Sequence, residues 1–212
     1  MELNGVKIYG ERNSGAIYLE WLLRKNLGLK ILETPDLGWK HRLAPSEEEL
    51  TEELKREVIF ICLVKNPYSW LLSLHKRPFN HESLKKLSFT DFLQYSFGDY
   101  RNPIVMWNMK NNSYMNLANY VKNHFVVRYE DLLSDYKRAL NQLTDTFGLK
   151  KPTFFYNINN LLTHSHGIKS NKFHRDYYLE EKWVKGLRPH HIEFINGFLD
   201  PSLMKTLNYS IL

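Results

Sequence analysis

The segment between Gly10 and Gly15 has residue types and a spacing suited to binding an anion. Its sequence is Gly10-Glu11-Arg12-Asn13-Ser14-Gly15. It lies between a predicted strand at 6–9 and a predicted helix at 16–25, so backbone N–H groups and the positive end of the helix dipole would point at a ligand. The two glycines indicate either a phosphate-binding loop or a tight turn in which glycine serves geometry only.

The residues that follow this loop argue against a nucleoside triphosphatase. In those enzymes the loop continues with Lys and then Ser or Thr, which hold the terminal phosphates and Mg²⁺. This chain continues with Ala16 and Ile17 instead. ATP or GTP hydrolysis is therefore disfavoured, whereas binding of some other phosphate is not.

A second candidate anion site follows the most apolar strand of the sequence, Val58–Val64. Lys65 comes at the carboxyl end of this strand, and Ser73 lies nearly two helical turns beyond the predicted cap residue Asn66. An ammonium and a hydroxyl in this arrangement can bind a second phosphate. Taken singly, each is more often a solvated lysine or an ordinary helix serine, but the two candidate sites follow strands that are predicted to be neighbours.

Strands and helices alternate along the chain in an order that positions both sites. Val58–Val64 is apolar on both faces, which is typical of a central strand covered on both sides. Asn66 and Pro67 begin a helix directly after it, and a long amphipathic helix runs from Tyr129 to a stop at Gly148. The order predicts an α/β fold: a three-layer sandwich with a mainly parallel central sheet and a P-loop-like phosphate-binding loop.

The remaining elements are predicted from periodicity and capping residues. Ser46, with Glu49 completing a capping box, predicts a short acidic helix. The other predicted elements are an extended piece at 29–33, a strand at 124–128, and helices at 88–95, 103–122, 178–185 and 189–198.

Length and composition predict one domain over residues 1–212, with a less regular basic segment from about 151. The 212 residues include 43% hydrophobic side chains, which is enough for a real core. Lys and Arg number 29 against 23 Asp and Glu, giving a net charge of +6. Because the basic residues are scattered, this charge alone supports a nucleic-acid-binding module only weakly, and we expect no nucleic-acid partner.

The cysteine count and hydropathy predict a cytoplasmic protein without a membrane span. The single Cys62 cannot form an internal disulfide, which fits a reducing compartment. The longest apolar run is Val58–Val64, far short of the roughly 20 residues that a membrane-spanning helix needs. The first residues lack the apolar core of a signal peptide.

Three segments resemble, in the same order, the signatures of sulfotransferases that use 3′-phosphoadenosine 5′-phosphosulfate. They are Tyr9-Gly10-Glu11-Arg12-Asn13-Ser14-Gly15, Val64-Lys65-Asn66-Pro67-Tyr68-Ser69-Trp70-Leu71-Leu72-Ser73 and Val127-Arg128-Tyr129-Glu130-Asp131-Leu132. The combination is far more specific than any one segment, and the likeness is greatest to small bacterial-type members. It implies transfer of a sulfuryl group from this cosubstrate to a hydroxyl or amine acceptor without a metal ion.

The resemblance also implies which residues bind the nucleotide. The phosphosulfate loop would comprise Gly10, Arg12, Asn13, Ser14, Gly15 and Ala16, and the 3′-phosphate site Lys65 and Ser73. This chain departs from the family at Lys65, where Arg is usual; Lys keeps the charge but loses the bidentate fork. Asn13 replaces the usual Lys or Arg and Ala16 the usual Thr, which leaves open a protein that binds nucleotide without catalysis.

Sulfuryl transfer requires a base for the acceptor and positive charge near the leaving nucleotide. The family uses His or Glu as the base, and the loop after the second predicted strand contains His41. The resemblance therefore allows His41 as the base, with Arg12, Lys40 and Arg42 as sources of positive charge. The alternatives are a solvated loop histidine, or Glu33 as the base.

A basic segment near the C-terminus offers a third group of candidate ligand contacts. In the family a basic segment after the last core strand folds over the nucleotide and contacts its 3′-phosphate. The matching candidates here are Lys169, Lys172 and Arg175, and the alternative is a solvated basic loop. The histidines of this segment lack the spacing of a metal site, so we predict none.

Two other groups of residues are predicted to have different roles, one structural and one in binding the acceptor. Arg128, Glu130 and Asp131 are interpreted as structural, because acidic residues at a helix start complement the helix dipole. Asn102-Pro103 and Trp107-Asn108 are candidates for lining the acceptor cleft. The acceptor itself stays open among lipid, saccharide, peptide and small phenol.

Overall fold

A parallel sheet of three strands forms the centre of the fold. The structure, a computed structural model, describes residues 3–78, 82–157, 162–163, 169–170 and 175–212. Strand β1 is Gly5–Gly10, β2 is Val58–Val64 and β3 is Asn123–Arg128, in the order β1-β2-β3. Every residue of β2 is buried, so the predicted central strand is confirmed.

Among the described residues, the backbone at the outer edge of β1 is paired near Val6 and at Gly10. Ile31 forms a parallel bridge with Val6, and no longer strand develops from the predicted extended piece at 29–33. The chain then leaves the sheet through a 3₁₀ turn, Pro35–Leu37, and returns at Lys40, whose carbonyl accepts a hydrogen bond from Gly10 N at 3.0 Å. The loop that contains His41 is thereby brought to the carboxyl end of β1.

Helices cover both faces of this sheet, which confirms the predicted three-layer α/β sandwich. Those described are α1 (Ala16–Leu27), α2 (Glu52–Glu57), α3 (Pro67–Lys76), α4 (Phe89–Gln94), α5 (Pro103–Asn116), α6 (Tyr129–Phe147), α7 (Arg175–Leu179), α8 (Pro189–Asn196) and α9 (Pro201–Thr206). Helices α1 and α6 pack on the face that presents Val6 and Ile8. Helix α5 packs on the opposite face, against Tyr9 and Phe60.

A separate apolar cluster lies beside the carboxyl end of β2. It joins α3, α4, α5, α8 and α9 around the buried rings of Trp70 and Trp107. The Trp107 indole N–H donates to the backbone carbonyl of Lys65 at 3.1 Å, which fixes the chain where it leaves β2. Two short antiparallel segments, β4 (Leu162–Thr163) and β5 (Lys169–Ser170), pair with each other. Within the described ranges no helix combines the length and apolar character required to cross a membrane.

Predicted helix ends are confirmed where a single local signal determines them. The Asn66 side chain accepts hydrogen bonds from Tyr68 N at 3.0 Å and from Ser69 N at 3.4 Å, directly before α3. Gly148 ends α6 in the left-handed conformation at φ 60°. Helix α5 stops earlier than predicted, because residues Leu117–Asn119 tighten into a 3₁₀ turn.

Two predicted helices are wrong in their extent. Ser46 N does donate to the Glu49 carboxylate at 2.7 Å, but buried Leu50 turns the chain inward and α2 begins later, capped by Thr51. The helix predicted at 178–185 is interrupted at Glu181, which has a left-handed φ of 49°. This break lets Trp183 stack on Tyr68 with ring centroids 6.1 Å apart.

Candidate functional site

The carboxyl ends of the three strands bring the two candidate anion sites together. Gly10 lies opposite Leu63 across the sheet, and Val64 lies opposite Arg128. The loop after β1 and the residue after β2 therefore leave the sheet at the same edge. The Lys65 Nζ atom is close to both sites, 3.2 Å from the backbone oxygen of Asn13 and 3.0 Å from Ser73 Oγ.

Close packing accounts for both glycines of the loop. A Cβ on Gly10 would lie 2.7 Å from the Leu63 backbone oxygen, and one on Gly15 would lie 2.5 Å from the Tyr129 ring. Gly15 also has φ 94°, a backbone conformation that residues other than glycine rarely adopt. The glycines thus let the main chain of the loop approach β2 and the residue after β3.

Helix α3 holds this loop from the other side. The Trp70 indole N–H donates to the backbone oxygen of Arg12 at 2.8 Å, and the Asn13 side-chain amide donates to the Arg77 carbonyl at 3.3 Å. Ser14 is buried, and Ala16 is the buried first residue of α1. The loop is therefore a fixed part of the fold, with Asn13 engaged by α3.

Lys65 is a buried cation with neutral partners. Its side chain is 1% exposed, and Nζ lies between the rings of Tyr129 and Tyr178, 4.9 and 4.2 Å from their centroids. Among the described residues no carboxylate oxygen lies within ion-pair distance of it. Burial lowers the pKa of Lys65, since the ammonium has lost its hydration.

Tyr178 joins this site from the distant helix α7. Its hydroxyl lies 3.3 Å from Ser73 Oγ. Burial alone would raise the pKa of Tyr178, but the Lys65 ammonium and the hydrogen bonds from Ser73 and Lys65 outweigh it, so the pKa is lowered. From the sequence, Tyr178 is predicted only as the start of a helix, because no local pattern links it to residues more than a hundred positions earlier.

His41 has a defined protonation state at the end of β1. Its Nδ1 lies 2.5 Å from the backbone oxygen of Gly10, which can only accept a hydrogen bond, so Nδ1 carries the proton and Nε2 the lone pair. Burial, reinforced by the nearby cations Lys40, Arg12 and Lys110, lowers the pKa of His41 to about 4 despite the bond to Gly10. The ring is therefore neutral at pH 7 and able to accept a proton at Nε2.

The three cations predicted to assist His41 have different surroundings, and one of them, Arg42, pairs with Glu49 at 2.7 Å. The Arg12 guanidinium lies over the Trp39 ring, 4.6 Å from its centroid, and that ring packs edge-on against His41 at 4.7 Å. The Lys40 ammonium lies 2.5 Å from a carboxylate oxygen of Glu20 on α1. The structure thus groups Arg12 with His41 through Trp39 and pairs Lys40 with α1.

Glu33, the alternative base, lies in a cleft along the open edge of β1. The cleft has a volume of about 480 Å³, and its lining includes Lys7, Glu20, Glu33 and Trp39. Trp39 lines this cleft and contacts the His41 ring, whereas His41 is not among the residues that line the cleft. The structure therefore places Glu33 in a cavity of small-ligand size that His41 does not line.

The three basic residues predicted from the C-terminal segment are placed unequally. Lys172 lies outside the described residues, and for Lys169 only the course of the backbone in β5 is described. Arg175 donates to the backbone oxygens of Leu133 at 2.7 Å and Ser134 at 3.1 Å. Its guanidinium is thus bound to a turn of α6.

The acidic residues after β3 have the structural role that was predicted. Arg128 lies 3.8 Å from Asp131. The Glu130 carboxylate accepts hydrogen bonds from Asn66 N at 3.0 Å and from the Tyr209 hydroxyl at 2.8 Å. Glu130 therefore ties the start of α3 and the C-terminal residues to the start of α6.

Two of the residues predicted to line the acceptor cleft, Asn102 and Trp107, are buried. Asn102 is buried and caps α5 by accepting from Val105 N at 2.8 Å. Trp107 is buried in the apolar cluster beside β2. As for metals, the described parts of the chain contain no group of three or more His, Cys, Asp or Glu side chains placed to hold an ion.

Comparison with solved structures identifies the class of fold as that of the sulfotransferases. No model of a known protein family matches the sequence, and no curated protein matches it. Mouse sulfotransferase SULT7A1, complexed with PAP, superposes with a TM-score of 0.58 at 14% identity, covering 96% of this chain and 88% of that one. The chain therefore has the fold that its three motifs predict.

Two further sulfotransferase structures are similar to this chain. One, from Alicyclobacillus acidocaldarius, has a TM-score of 0.57 at 11% identity and covers 99% of this chain and 98% of that one. The other is a sulfotransferase domain from the curacin biosynthetic pathway, with a TM-score of 0.44 at 19% identity over 73% of this chain. This chain spans 55% of the length of that domain.

Proposed function

We propose that the protein is a sulfotransferase that moves a sulfuryl group from 3′-phosphoadenosine 5′-phosphosulfate to a hydroxyl or amine acceptor. The observation that carries the proposal is the buried Lys65 ammonium, which contacts the loop at Asn13 and the hydroxyl of Ser73 but no described carboxylate. Buried charges in proteins are normally paired. A phosphate group of the nucleotide would supply the missing anion, and the sulfotransferase fold supports this choice of nucleotide.

In this proposal the two phosphate groups occupy neighbouring sites on one edge of the sheet. Lys65 and Ser73 bind the 3′-phosphate, and the loop from Gly10 to Ala16 binds the 5′-phosphosulfate through backbone amides and the dipole of α1. Lys169 and Lys172 remain proposed contacts to the 3′-phosphate. Arg175 is not assigned to the nucleotide, because α6 already binds its guanidinium.

The proposed transfer step uses His41 as the base. The acceptor oxygen or nitrogen forms a bond to sulfur while the bond from sulfur to the bridging oxygen of the nucleotide breaks. The nucleotide leaves with that electron pair as 3′-phosphoadenosine 5′-phosphate (PAP), and the acceptor proton moves to Nε2 of His41. Arg12 is the proposed cation for the charge on the bridging oxygen, because its guanidinium lies over the Trp39 ring that contacts His41.

We place this reaction in the cytoplasm, on a small-molecule, saccharide or lipid acceptor. The only cysteine, Cys62, is fully buried and unpaired, which fits a reducing compartment. The cleft of about 480 Å³ beside Trp39 has the volume of a small-ligand site. Its wall, the Trp39 ring, contacts the imidazole of the proposed base.

Calorimetry with PAP and with 5′-AMP tests the proposal. We expect PAP to bind and 5′-AMP to bind at least about 30-fold more weakly, because losing the 3′-phosphate leaves a buried charge unpaired at a cost of about 2–5 kcal/mol. Absence of PAP binding, or equal affinity for the two nucleotides, would refute the proposal.

The second candidate is a protein that binds the nucleotide without transferring sulfate. It is favoured by Asn13, whose amide donates to Arg77 in the place where the family has a cation. Incubation with ³⁵S-labelled cosubstrate and a panel of phenols, saccharides, lipids and peptides separates the two. Labelled product that falls about 10²–10⁴-fold in His41→Asn supports the enzyme, whereas tight PAP binding with no product supports the second candidate.

A further inference from the structure

A buried ion pair closes a ring of contacts around His41. The Lys110 ammonium on α5 lies 2.7 Å from the backbone oxygen of His41 and 2.5 Å from a carboxylate oxygen of Glu11. Glu11 follows Gly10 in the chain, and the Gly10 carbonyl accepts the Nδ1 proton of His41 at 2.5 Å. Lys110 and Glu11 therefore connect the main chain of His41 to the group that binds its side chain.

We propose that Lys110 and Glu11 are positioning residues that hold the His41 imidazole in its Nδ1-protonated form. This inference rests on the proposed function, in which His41 accepts the proton of the acceptor at Nε2. The hydrogen bond made by one ring nitrogen of a histidine decides the state of the other. If the main chain around His41 shifted away from Gly10, Nδ1 would lose its hydrogen-bond acceptor. The ring proton would then no longer be held on Nδ1, and Nε2 would no longer be kept unprotonated to act as the base.

Lys110 differs in this respect from its neighbours on α5. The Tyr114 hydroxyl donates to the backbone oxygen of Arg42 at 3.0 Å, and Ser113 Oγ accepts from Ala44 N at 3.0 Å. These bonds fix the chain after His41. Of the three α5 side chains, Lys110 is the one whose contact reaches His41 itself, which makes Tyr114 a matched control.

The burial of the Lys110–Glu11 pair indicates that the pair orients the main chain of His41 more than it stabilises the fold. The Lys110 and Glu11 side chains are 10% and 4% exposed. Removing two charges from water costs about as much as their attraction returns, so an apolar pair of equal volume stabilises a fold at least as well. A charged pair at this depth does give fixed hydrogen-bond directions, here toward the backbone of His41.

The charged and titratable groups around His41 come from three elements. Arg12 in the loop, Lys40 in the His41 segment and Lys110 on α5 disfavour the imidazolium, and burial does so most of all. Lys110 itself contacts Glu11, at ion-pair distance, and the Tyr100 ring, whose centroid is 5.6 Å from Nζ. Replacing Lys110 removes one of the three cations and exposes the ring to water, and both changes favour protonation of His41. They outweigh the loss of the bond to Gly10, which acts in the opposite direction, because burial is the largest cause of the lowered pKa.

Nuclear magnetic resonance of the ¹⁵N-histidine-labelled protein of residues 1–212 tests the inference. The His41 signals are assigned with His41→Asn, and their shifts report both the tautomer and the titration midpoint. We expect wild type and Tyr114→Phe to hold the Nδ1-protonated form with a midpoint near pH 4. In Lys110→Met we expect the Nε2-protonated form to appear and the midpoint to rise by at least one pH unit.

A second variant keeps the test decisive if Lys110→Met does not fold. Glu11→Gln is isosteric and removes only the charge that holds Lys110, so we expect the same changes with a smaller amplitude. An unchanged His41 tautomer and midpoint in either folded variant would overturn the inference, as would an equal change in Tyr114→Phe. PAP binding measured on the same samples reports the proposed function separately, because these His41 signals are read without nucleotide.

Discussion

Among single residues, Lys65 has unusual surroundings at the edge of the sheet where the two candidate anion sites meet. Its ammonium is buried against the backbone oxygen of Asn13, the hydroxyl of Ser73 and the rings of Tyr129 and Tyr178. None of these partners carries the full negative charge of a carboxylate. Natural proteins depart from good packing and pairing mainly at functional sites. Lys65 is therefore the residue from which an anion-binding function follows most directly.

Replacing this lysine should not harm the free protein. We expect Lys65→Met to have a free energy of unfolding equal to or higher than that of wild type, because burying a charge costs several kcal/mol that Met avoids. Urea denaturation of the nucleotide-free protein measures this. As a control, Lys151→Met removes an exposed lysine that pairs with Asp145 and should change stability by less than about 1 kcal/mol. A loss of more than about 2 kcal/mol in Lys65→Met would mean that the lysine is structural.

His41 should make stability depend on pH in a defined window. Its folded-state pKa of about 4 lies below the ordinary value of 6.5, so the unfolded chain binds more protons between these values. The resulting stability is fully present above pH 6.5 and is lost as the pH falls toward 4. The total is about 3 kcal/mol at one pKa unit per 1.36 kcal/mol.

Denaturation of wild type and His41→Asn between pH 4 and 7 measures this contribution. His124 and His191 also have pKa values lowered by burial, so only the difference between the two proteins belongs to His41. We expect the pH dependence to be shallower in His41→Asn. Parallel curves for the two proteins would show that His41 is not buried in its neutral form.

At the scale of elements, the sequence predicted correctly those strand and helix features that depend on interactions between neighbouring residues. The apolar run of β2, the Asn66 cap and the Gly148 stop each act within a few residues, and each is observed as predicted. The pairing of Lys40 with Glu20 and the approach of Tyr178 to Ser73 join distant parts of the chain. Sequence spacing carries no information on such contacts, so these parts of the site required the structure.

The loop between β1 and α1 should be intolerant of a side chain at Gly15. A Cβ there would meet the Tyr129 ring at 2.5 Å in a backbone of φ 94°. Gly28 has φ 62° but nothing within 4 Å, so Gly28→Ala carries only the backbone penalty of about 1–2 kcal/mol. We expect Gly15→Ala to lose about 1–3 kcal/mol more than Gly28→Ala in thermal or urea unfolding. Equal losses would show that Tyr129 moves aside freely.

At the scale of the whole molecule, the C-terminal part of the chain completes the site that the sheet begins. Tyr178 on α7 reaches the Lys65 site, and the Tyr209 hydroxyl donates to Glu130 at the start of α6. The Leu212 backbone N–H donates to the hydroxyl of Tyr68 on α3 at 3.1 Å. Helix α3 and the carboxyl edge of the sheet are thus fixed in part by contacts from residues near the C-terminus.

In the proposed function, Lys65 binds the 3′-phosphate of the nucleotide. This claim is tested most directly by calorimetry of wild type and Lys65→Met, each with PAP and with 5′-AMP. We expect wild type to prefer PAP by at least about 30-fold, and Lys65→Met to retain the affinity of wild type for 5′-AMP while losing most of the preference for PAP. If Lys65→Met distinguishes the two nucleotides as well as wild type does, the 3′-phosphate is not bound at Lys65 and the claim is wrong.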